Sequence, residues 1–402
     1  MFDSDKEKYL RPVEKAGKYG YIDNFGVFVI KPQFDDANDF NEGLARVNVG
    51  GSDNGYGTII GGKWGYIDKN GKFIIEPKFD EAYDFYEGVA SVNIGKSINN
   101  VGYSTKGKWG YIDKTGQFII EPQFDNAGFF SEGVVVASNS NDGNGQMKKG
   151  YMDKFGKFVI EPKYDEAYPF YDGLARIVLN DKYGFIDKKG ELVIKPKFAN
   201  AQNFSEDLAV VEVRNKEGYI DKTGNVVIQP RFFQATDFSE GLASVSVEDD
   251  GCALWGFVDK NGVFIIEPQF NFAESFHEGL SLVTVGEDED GNGGKLGFID
   301  KKGNYVIEPV FDYASEFSDG LACVNIGGKY DFMTGNFIGG KWGYIDKTGK
   351  YVIKPKFDFA NDFVEGLAYI NVGCSFDEEI GENTGGKWGY VDKKGAVFFI
   401  DD

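Results

Sequence analysis

The sequence predicts an all-β protein built from tandem repeats, and three observations support this fold class. First, the spacing between Gly150 and Gly184, and again between Gly184 and Gly218, is 34 residues, and the sequence around each glycine is similar. Second, aromatic residues make up 16% of the chain. Third, the 55 glycines suit many short strands joined by tight turns. A period of this length is typical of stacked repeat architectures.

One glycine marks each copy of the repeat, after a lysine and usually an aromatic residue. These marker glycines are Gly20, Gly65, Gly110, Gly150, Gly184, Gly218, Gly256, Gly297, Gly343 and Gly389. All five tryptophans directly precede a marker glycine, and the insertions all fall shortly before one. We therefore expect one repeat domain over residues 1–402, with ten units between Tyr9 and Ile400.

The copy that follows Gly62 predicts its elements in order. Residues 64–68 and 72–76 are aromatic and β-branched and flank an Asn-Gly turn, which predicts a β-hairpin. Pro77 is expected to end the second strand, because proline cannot donate to a ladder. Apolar residues three apart in 79–85 predict one turn of 3₁₀ or α-helix on the sheet. Residues 89–94 then form a third strand.

Regrouping these elements gives ten three-stranded antiparallel meanders joined by nine linkers. The predicted architecture is a tandem-repeat solenoid of about ten such meanders. The alternative is a closed β-propeller-like ring. Propellers usually have four to eight blades of four strands each, so ten units of three strands favour the open solenoid.

Charge and hydropathy restrict the partners and the location. The net charge of −21 argues against nucleic acid, whose binders carry basic patches. No window reaches the ~18 apolar residues of a membrane helix, so no membrane insertion is expected. The first residues lack the apolar core of a signal peptide. A cytoplasmic location is therefore expected, and an extracytoplasmic one if a signal peptide was removed.

No residue pattern predicts catalysis. His277 is the single histidine and occupies a variable slot, where Asn41 and Tyr86 stand in other copies. The same carboxylates recur in every unit, which indicates solvated surface and turn capping. The cysteines are odd in number and far apart, which matches neither a disulfide framework nor a zinc site. We therefore expect no enzyme activity, no cofactor and no metal site.

The segment from Lys63 to Gly71, followed by Ile75-Glu76-Pro77 and Phe79-Asp80, resembles the bacterial WG-repeat (KWG-repeat) family. The resemblance extends from about Gly17 to Ile400 and recurs ten times. It implies a repeat scaffold, and it brings no catalytic residues to this chain.

The expected function is a non-enzymatic macromolecular binding scaffold, with a protein or peptide as partner. The alternative is a surface module that binds glycan or cell wall. The tryptophan slot serves either as an aromatic stack between units or as an exposed ladder for sugar rings. Insertions at one slot project from one edge of a repeat stack, where binding usually lies. The alternative is that the inserts are longer hairpins that pack on one another or cap the ends of the stack. The predicted binding residues are side chains of these inserts: Tyr56, Ile59, Tyr103, Tyr330, Phe332 and Phe337.

Overall fold

The computed structural model describes residues 9–54, 59–98, 104–138, 147–249, 252–286, 293–331, 336–377 and 382–400. The chain divides into two compact units, Met1–Lys197 and Phe198–Asp402. β-strands are the regular secondary structure of the described residues. No helix in those ranges is long and apolar enough to cross a membrane.

Each repeat contributes an antiparallel meander whose strands occupy four successive positions. Short first-position strands are β4 Asp36–Ala37, β8 Glu81–Ala82, β15 Glu166–Tyr171, β19 Asn200–Ala201, β23 Gln234–Ala235, β27 Phe272–Ala273, β31 Tyr313–Ala314 and β35 Phe359–Ala360. Second-position strands are β1 Arg11–Lys15, β5 Ala45–Asp53, β9 Val89–Ile98, β12 Val134–Ser138, β16 Leu174–Leu179, β20 Leu208–Val213, β24 Ala243–Asp249, β28 Ser281–Val285, β32 Ala322–Asp331 and β36 Leu367–Asp377.

The last two positions form the hairpin that the Asp-x-x-Gly turn closes. Third-position strands, which carry the marker glycine, are β2 Lys18–Ile22, β6 Ile59–Ile67, β10 Ser104–Asp113, β13 Lys149–Asp153, β17 Lys182–Asp187, β21 Lys216–Asp221, β25 Cys252–Val258, β29 Lys295–Ile299, β33 Asn336–Ile345 and β37 Glu382–Asp392. Fourth-position strands are β3 Phe28–Phe34, β7 Phe73–Phe79, β11 Phe118–Phe124, β14 Phe158–Tyr164, β18 Leu192–Phe198, β22 Val226–Phe232, β26 Phe264–Phe270, β30 Tyr305–Phe311, β34 Tyr351–Phe357 and β38 Val397–Phe399.

These strands make ten small sheets, and the number of strands decides the architecture. Among the described residues, eight sheets have four strands in sequence order, and the sheets β1–β3 and β12–β14 have three. A four-stranded antiparallel meander is the blade of a β-propeller. The predicted all-β class is therefore confirmed and the predicted alternative, the β-propeller, is correct, whereas the solenoid is wrong. We number the blades 1 to 10 along the chain, with blades 1–5 in the first unit and 6–10 in the second.

The solenoid prediction failed because the first strand of each blade was taken for a linker with a helical turn. In the reference repeat, Glu81 and Ala82 instead pair with Asn93 and Val92 of β9. Phe79 ends a strand of blade 2, whereas Phe85 follows the first strand of blade 3. Both rings are buried. Their spacing therefore reflects the crossing from one blade to the next, not the pitch of a helix.

The marker glycine is explained by the backbone that lies against it. The register between β6 and β7 slips beside Gly65, so that Trp64 opposes Phe79 while Tyr66 opposes Ile75. A Cβ on Gly65 would lie 2.6 Å from the Ile75 carbonyl oxygen and 2.7 Å from the Pro77 nitrogen. Pro77 is therefore inside the strand, at a bulge, and does not end the strand as predicted. A bulge tolerates proline because its ladder is already interrupted.

The inserts of four blades extend the hairpin between the second and third strands. In blade 2, β5 and β6 stay paired as far as Asp53 and Ile59. The same extension occurs in blades 3, 9 and 10. Each of these blades has a buried asparagine at one slot, which donates to a carbonyl of the opposite strand: Asn48, Asn93, Asn325 and Asn371. The inserts of these blades are thus hairpins in the described residues.

Candidate functional site

An open cleft of about 690 Å³ lies between blades 2 and 3 in the first unit, and we call it the blade 2–3 cleft. Its lining combines the extended hairpin of blade 2, the two tryptophan slots and the short first strands of both blades. The lining residues are Asp36, Arg46, Ile59, Ile60, Gly61, Gly62, Trp64, Asp80, Glu81, Ala82, Tyr83, Lys96 and Trp109.

A stack of planar groups forms one wall of the cleft. The Arg46 guanidinium carbon lies 5.1 Å from the centroid of the Trp64 ring and 5.9 Å from that of Tyr83. The Tyr83 ring is in turn parallel to Trp109, with 5.2 Å between centroids and 20° between planes. Trp109 is buried, while Tyr83 is 51% exposed. Tyr83 is therefore the solvent-facing ring of the stack, and it packs on the buried Trp109.

Arg46 is fixed by blade 3 as well as by the rings. Its Nε donates to Asp84 Oδ1 at 2.9 Å, one terminal nitrogen donates to the Ala82 carbonyl at 2.7 Å, and the other donates to Asn38 at 3.0 Å. The Tyr66 hydroxyl, on β6, donates to the Tyr83 carbonyl at 2.7 Å. These bonds hold the first strand of blade 3 against blade 2 and fix the position of the wall.

The charges that line the cleft are paired except for one carboxylate. Asp80 pairs with Lys63 and also accepts the Gly95 N–H at 2.8 Å. Glu81 pairs with Lys96. Asp36 accepts only the N–H of its neighbour Ala37, at 2.7 Å, and has no ion-pair partner among the described residues. Burial raises the pKa of Asp36, although this N–H and the charge of Arg46 oppose the rise.

Half of the predicted binding residues are described, and they lie in two different regions. Ile59 lines the blade 2–3 cleft, beside the exposed Ile60. Tyr330 is 51% exposed in the extended hairpin of blade 9, and Phe337 packs against the core of that blade. The predictions for Tyr56, Tyr103 and Phe332 lie outside the described residues.

In blade 9 the equivalent region is filled by aromatic rings, and we call Tyr313, Phe337 and Trp342 the blade 9 cluster. The centroid of Phe337 lies 5.5 Å from that of Tyr313 and 5.6 Å from that of Trp342. Tyr313 and Trp342 are themselves 5.1 Å apart. Trp342 is 6% exposed. Phe337 thus occupies the space that stays open beside Ile59 in blade 2.

The tryptophan slot serves mainly as packing between strands and blades. Trp109, Trp255 and Trp342 are buried. Trp64 and Trp388 are partly buried. An aromatic stack is therefore present, whereas a ladder of exposed coplanar rings does not occur at these five positions.

The remaining candidate groups do not converge. His277 is exposed and lies 3.7 Å from Glu316. Cys323 is buried without a disulfide, and Cys374 is partly buried and also unpaired. In the part of the chain that the structure describes, no group of three or more His, Cys, Asp or Glu residues is placed to hold a metal ion.

The comparison with protein families identifies the repeat. The family described as WG containing repeat matches nine segments, which together cover well over half of the chain: 19–52, 64–96, 109–142, 150–183, 183–216, 218–249, 255–287, 297–330 and 342–373. This chain belongs to the WG-containing repeat family. The predicted resemblance is thereby confirmed. The WG repeats occur in both units, and the marker glycine and the bulge beside it are their structural signature here.

Among solved structures, a crystal structure of the eukaryotic initiation factor is similar to this WG-repeat chain with a TM-score of 0.53 and 11% identity, over 98% of this chain and 96% of that one. The β-propeller domain of the Trilobed protease from Pyrococcus furiosus has a TM-score of 0.31 and 12% identity, over 81% and 96% of the two chains. At 11% identity the first likeness concerns the fold alone. The search of curated proteins finds no match.

Sequence reasoning did not find Asp36, Arg46 or Tyr83, because it looked for function in the inserts and in the tryptophan slot. These three residues occupy slots inside the repeat. A usable signal was present, since the slot of Arg46 holds Ser91 in blade 3 and Cys323 in blade 9. A slot that varies within an otherwise regular repeat is where a local function can differ from the shared fold.

Proposed function

We propose that this WG-repeat protein is a non-enzymatic protein-interaction scaffold, and that a peptide segment of its partner binds in the blade 2–3 cleft. The observation that carries the proposal is the open cleft in which exposed apolar side chains meet a fixed aromatic and arginine wall. Ile60 and Tyr83 are 47% and 51% exposed. Tryptophan, tyrosine and arginine are the residues enriched at the centres of protein interfaces.

The alternative, a glycan-binding module, is less well supported by the same wall. Sugar rings stack on flat aromatic faces that are open to solvent. Trp109 is only 9% exposed, and Tyr83 is stacked on it. The Trp64 ring carries Arg46. Because the faces of these rings are covered, the cleft suits a peptide side chain better than a sugar ring.

A selection with the full-length protein tests the proposal. Purified protein is panned against a phage library of random 12-residue peptides and probed in parallel on a glycan array. We expect enriched peptides whose binding is lost in Ile60→Asp, which places a charge on the apolar rim of the cleft. Ile338→Asp is the matched control, because Ile338 holds the same hairpin slot in blade 9, opposite Lys329.

Two results would contradict the proposal. One is glycan binding without peptide enrichment, which would favour the alternative function. The other is a set of enriched peptides that bind Ile60→Asp as well as the unmodified protein, which would place the binding surface elsewhere. Circular dichroism of both variants verifies that a loss of binding does not reflect unfolding.

A further inference from the structure

The charges around the blade 2–3 cleft do not cancel. Arg46 pairs with Asp84, Lys63 pairs with Asp80, and Lys96 pairs with Glu81. Asp36 is the carboxylate left over, and it lies at the lining of the cleft. The groups around the cleft therefore carry one more negative charge than positive, and the Arg46 charge also acts on Asp36. The net charge of −21 reinforces this sign at longer range.

The aromatic lining forms one side of the cleft beside this carboxylate. Trp64, Tyr83 and Trp109 all line the cleft. A cation above an indole or phenol face is stabilised by the ring quadrupole, and more strongly when water is excluded. Arg46 already shows this interaction within the protein, with its guanidinium carbon 5.1 Å from the Trp64 centroid. Arg46 already occupies a face of Trp64, and Trp109 covers a face of Tyr83, so these rings form a fixed wall beside the carboxylate.

The aliphatic side of the cleft suits the stem of a long basic side chain. Ile59 and Ile60 belong to the extended hairpin of blade 2, and both line the cleft. Arginine and lysine bury their methylene stems on apolar surface while the charged end reaches polar groups. A side chain with an apolar stem and a cationic tip therefore matches the isoleucines and Asp36 at the same time.

We propose that the blade 2–3 cleft binds an arginine or lysine side chain of a basic peptide segment, with Asp36 as its carboxylate partner and the two isoleucines as the surface for its methylene stem. This inference rests on the proposed function and deepens it, because it states the chemistry of the bound segment. Arginine is preferred over lysine, since its planar guanidinium forms paired hydrogen bonds with a carboxylate.

The blade 9 cluster supports the same inference by contrast, because it has the same strand register but different side chains. Tyr313 takes the place of Asp36, because each precedes the buried alanine of a first strand. Cys323 takes the place of Arg46, and Phe337 that of Ile59. The blade 9 cluster thus has neither the carboxylate nor the open space. A basic side chain is expected to discriminate between these two regions of the same fold.

The experiment uses the peptides selected by the full-length protein. The probe is a fluorescein-labelled 12-residue peptide with the consensus of that selection, made in an arginine version and in a citrulline version. Citrulline keeps the shape and removes the charge. We expect a basic residue at one consensus position, and a loss of affinity of about tenfold or more for the citrulline peptide, the usual effect of losing a charged hydrogen bond.

A double-mutant cycle then assigns that loss to Asp36. In fluorescence anisotropy, Asp36→Asn should weaken the arginine peptide by a similar factor and leave the citrulline peptide almost unchanged. The matched control is Glu166→Gln, because Glu166 occupies the same slot at the start of blade 5 and lies outside the cleft. The control should bind both peptides as the unmodified protein does.

The possible failures are distinguishable. A consensus without a basic position, or a citrulline effect that is equal in the unmodified protein and in Asp36→Asn, overturns the inference. If the consensus peptide still depends on Ile60 in either case, the proposed scaffold function stands. If no peptide is enriched at all, the proposed function and the inference fail together.

Discussion

The blade 2–3 cleft and the blade 9 cluster have the same strand register, and they differ at the slots of Asp36, Arg46 and Ile59. In both hairpins the lack of a side chain on a glycine leaves room for the insert side chain, since an added Cβ would lie 2.5 Å from Ile59 at Gly51 and 2.3 Å from Phe337 at Gly328. The same strand register and the same buried asparagine recur in both. The two regions differ in the volume and charge of the side chains on these strands. The blade 2–3 cleft is open and contains Asp36, whereas aromatic rings fill the blade 9 cluster.

The difference teaches how a repeat can separate stability from binding. In blade 9 the large Phe337 packs on Trp342 and contributes buried apolar area. In blade 2 the smaller Ile59 leaves the Trp64 side of the hairpin accessible. Asp36 adds a half-buried carboxylate, which costs stability while it has no ion-pair partner among the described residues. Sites that bind are commonly stabilised less well than the scaffold around them, and the two regions allow that relation to be measured within one chain.

The largest expected effect on stability comes from the marker glycine, which both blades share. Gly65→Ala and Gly343→Ala should each destabilise the protein by about 3 kcal/mol or more, because the new Cβ would meet backbone atoms that cannot move independently. At Gly343 the distances are 2.6 Å to both the Ile353 carbonyl oxygen and the Pro355 nitrogen. Urea denaturation measures the loss. Gly43→Ala is the control for space, because a Cβ there meets nothing within 4 Å, although its φ of +87° adds backbone strain. A Gly65→Ala protein as stable as the Gly43→Ala protein would contradict the close-approach explanation.

The second effect separates the two regions. Phe337→Ala should cost about 2–3 kcal/mol, below the usual range for a fully buried phenylalanine because this ring is only partly buried. Ile59→Ala should cost about 1 kcal/mol or less, since Ile59 borders an open cleft. Thermal and chemical denaturation of both variants measure the difference. Equal losses would mean that the cleft side chain is as much a part of the core as its counterpart in blade 9.

How far the sequence determined these features depends on the range of the interactions. The repeat period, the Asp-x-x-Gly hairpin and the second strand of each blade were predicted correctly, because they follow from local patterns. The Asp68 carboxylate, for example, accepts the N–H groups of Asn70 and Lys72 inside one turn. The first strand was missed because its two residues have no period of their own. Glu81–Ala82 becomes a strand only by pairing with β9, a tertiary contact that a propensity cannot reveal.

The candidate site was predicted only in part for the same reason. Ile59 was found because it is an apolar residue in an insert, and it does line the cleft. Phe337 satisfied the same criterion yet packs on the core of blade 9. Asp36 and Tyr83 come from two successive blades, and their proximity depends on how those blades pack. Sequence patterns identify apolar insert residues, but they do not say whether a neighbouring side chain covers them.

The third effect concerns the asparagine that anchors each extended hairpin. Asn325 donates to the Gly339 carbonyl at 3.2 Å and accepts the Gly328 N–H at 3.1 Å. Asn48 donates to the Gly61 carbonyl at 3.2 Å, while its buried side-chain oxygen has no partner among the described residues. Asn325→Ala should therefore cost about 1–2 kcal/mol and Asn48→Ala about half as much. Denaturation of the two variants measures the difference.

Two measurements sharpen the interpretation of the asparagine pair. Amide hydrogen exchange should show faster exchange at Gly328 in Asn325→Ala, because its N–H loses its acceptor, and little change in blade 2. Asn371→Ala is a further control, since Asn371 makes both bonds in blade 10 and should behave like Asn325. A larger loss for Asn48→Ala than for Asn325→Ala would contradict the assignment of the second bond.

The smallest expected effect is a difference in how two carboxylates of blade 2 change stability with pH. Their pKa values are shifted in opposite directions. Partial burial would raise the pKa of Glu42, but bonds from Lys114 and from the Gly88 N–H lower it below its ordinary value of 4.5. Burial raises the pKa of Asp36 above its ordinary value of 3.8. The stability from Glu42 is therefore present above pH 4.5 and lost as the pH falls through its lowered pKa. The ionised Asp36 opposes folding at neutral pH, and that penalty disappears as the pH falls through its raised pKa.

Single substitutions should reveal these signs in urea denaturation at neutral and acidic pH. Glu42→Gln should destabilise slightly at neutral pH, by about 0.5 kcal/mol, because solvent screens the pair with Lys114. Asp36→Asn should be neutral or slightly stabilising at neutral pH, and its difference from the unmodified protein should vanish as Asp36 becomes protonated. Glu240→Gln is the control in the second unit, where Lys301 and the Gly279 N–H bind the carboxylate in the same way, so it should behave like Glu42→Gln. A clear loss of stability in Asp36→Asn would mean that the carboxylate supports the fold, and the cleft would then have no uncompensated charge to offer a basic side chain.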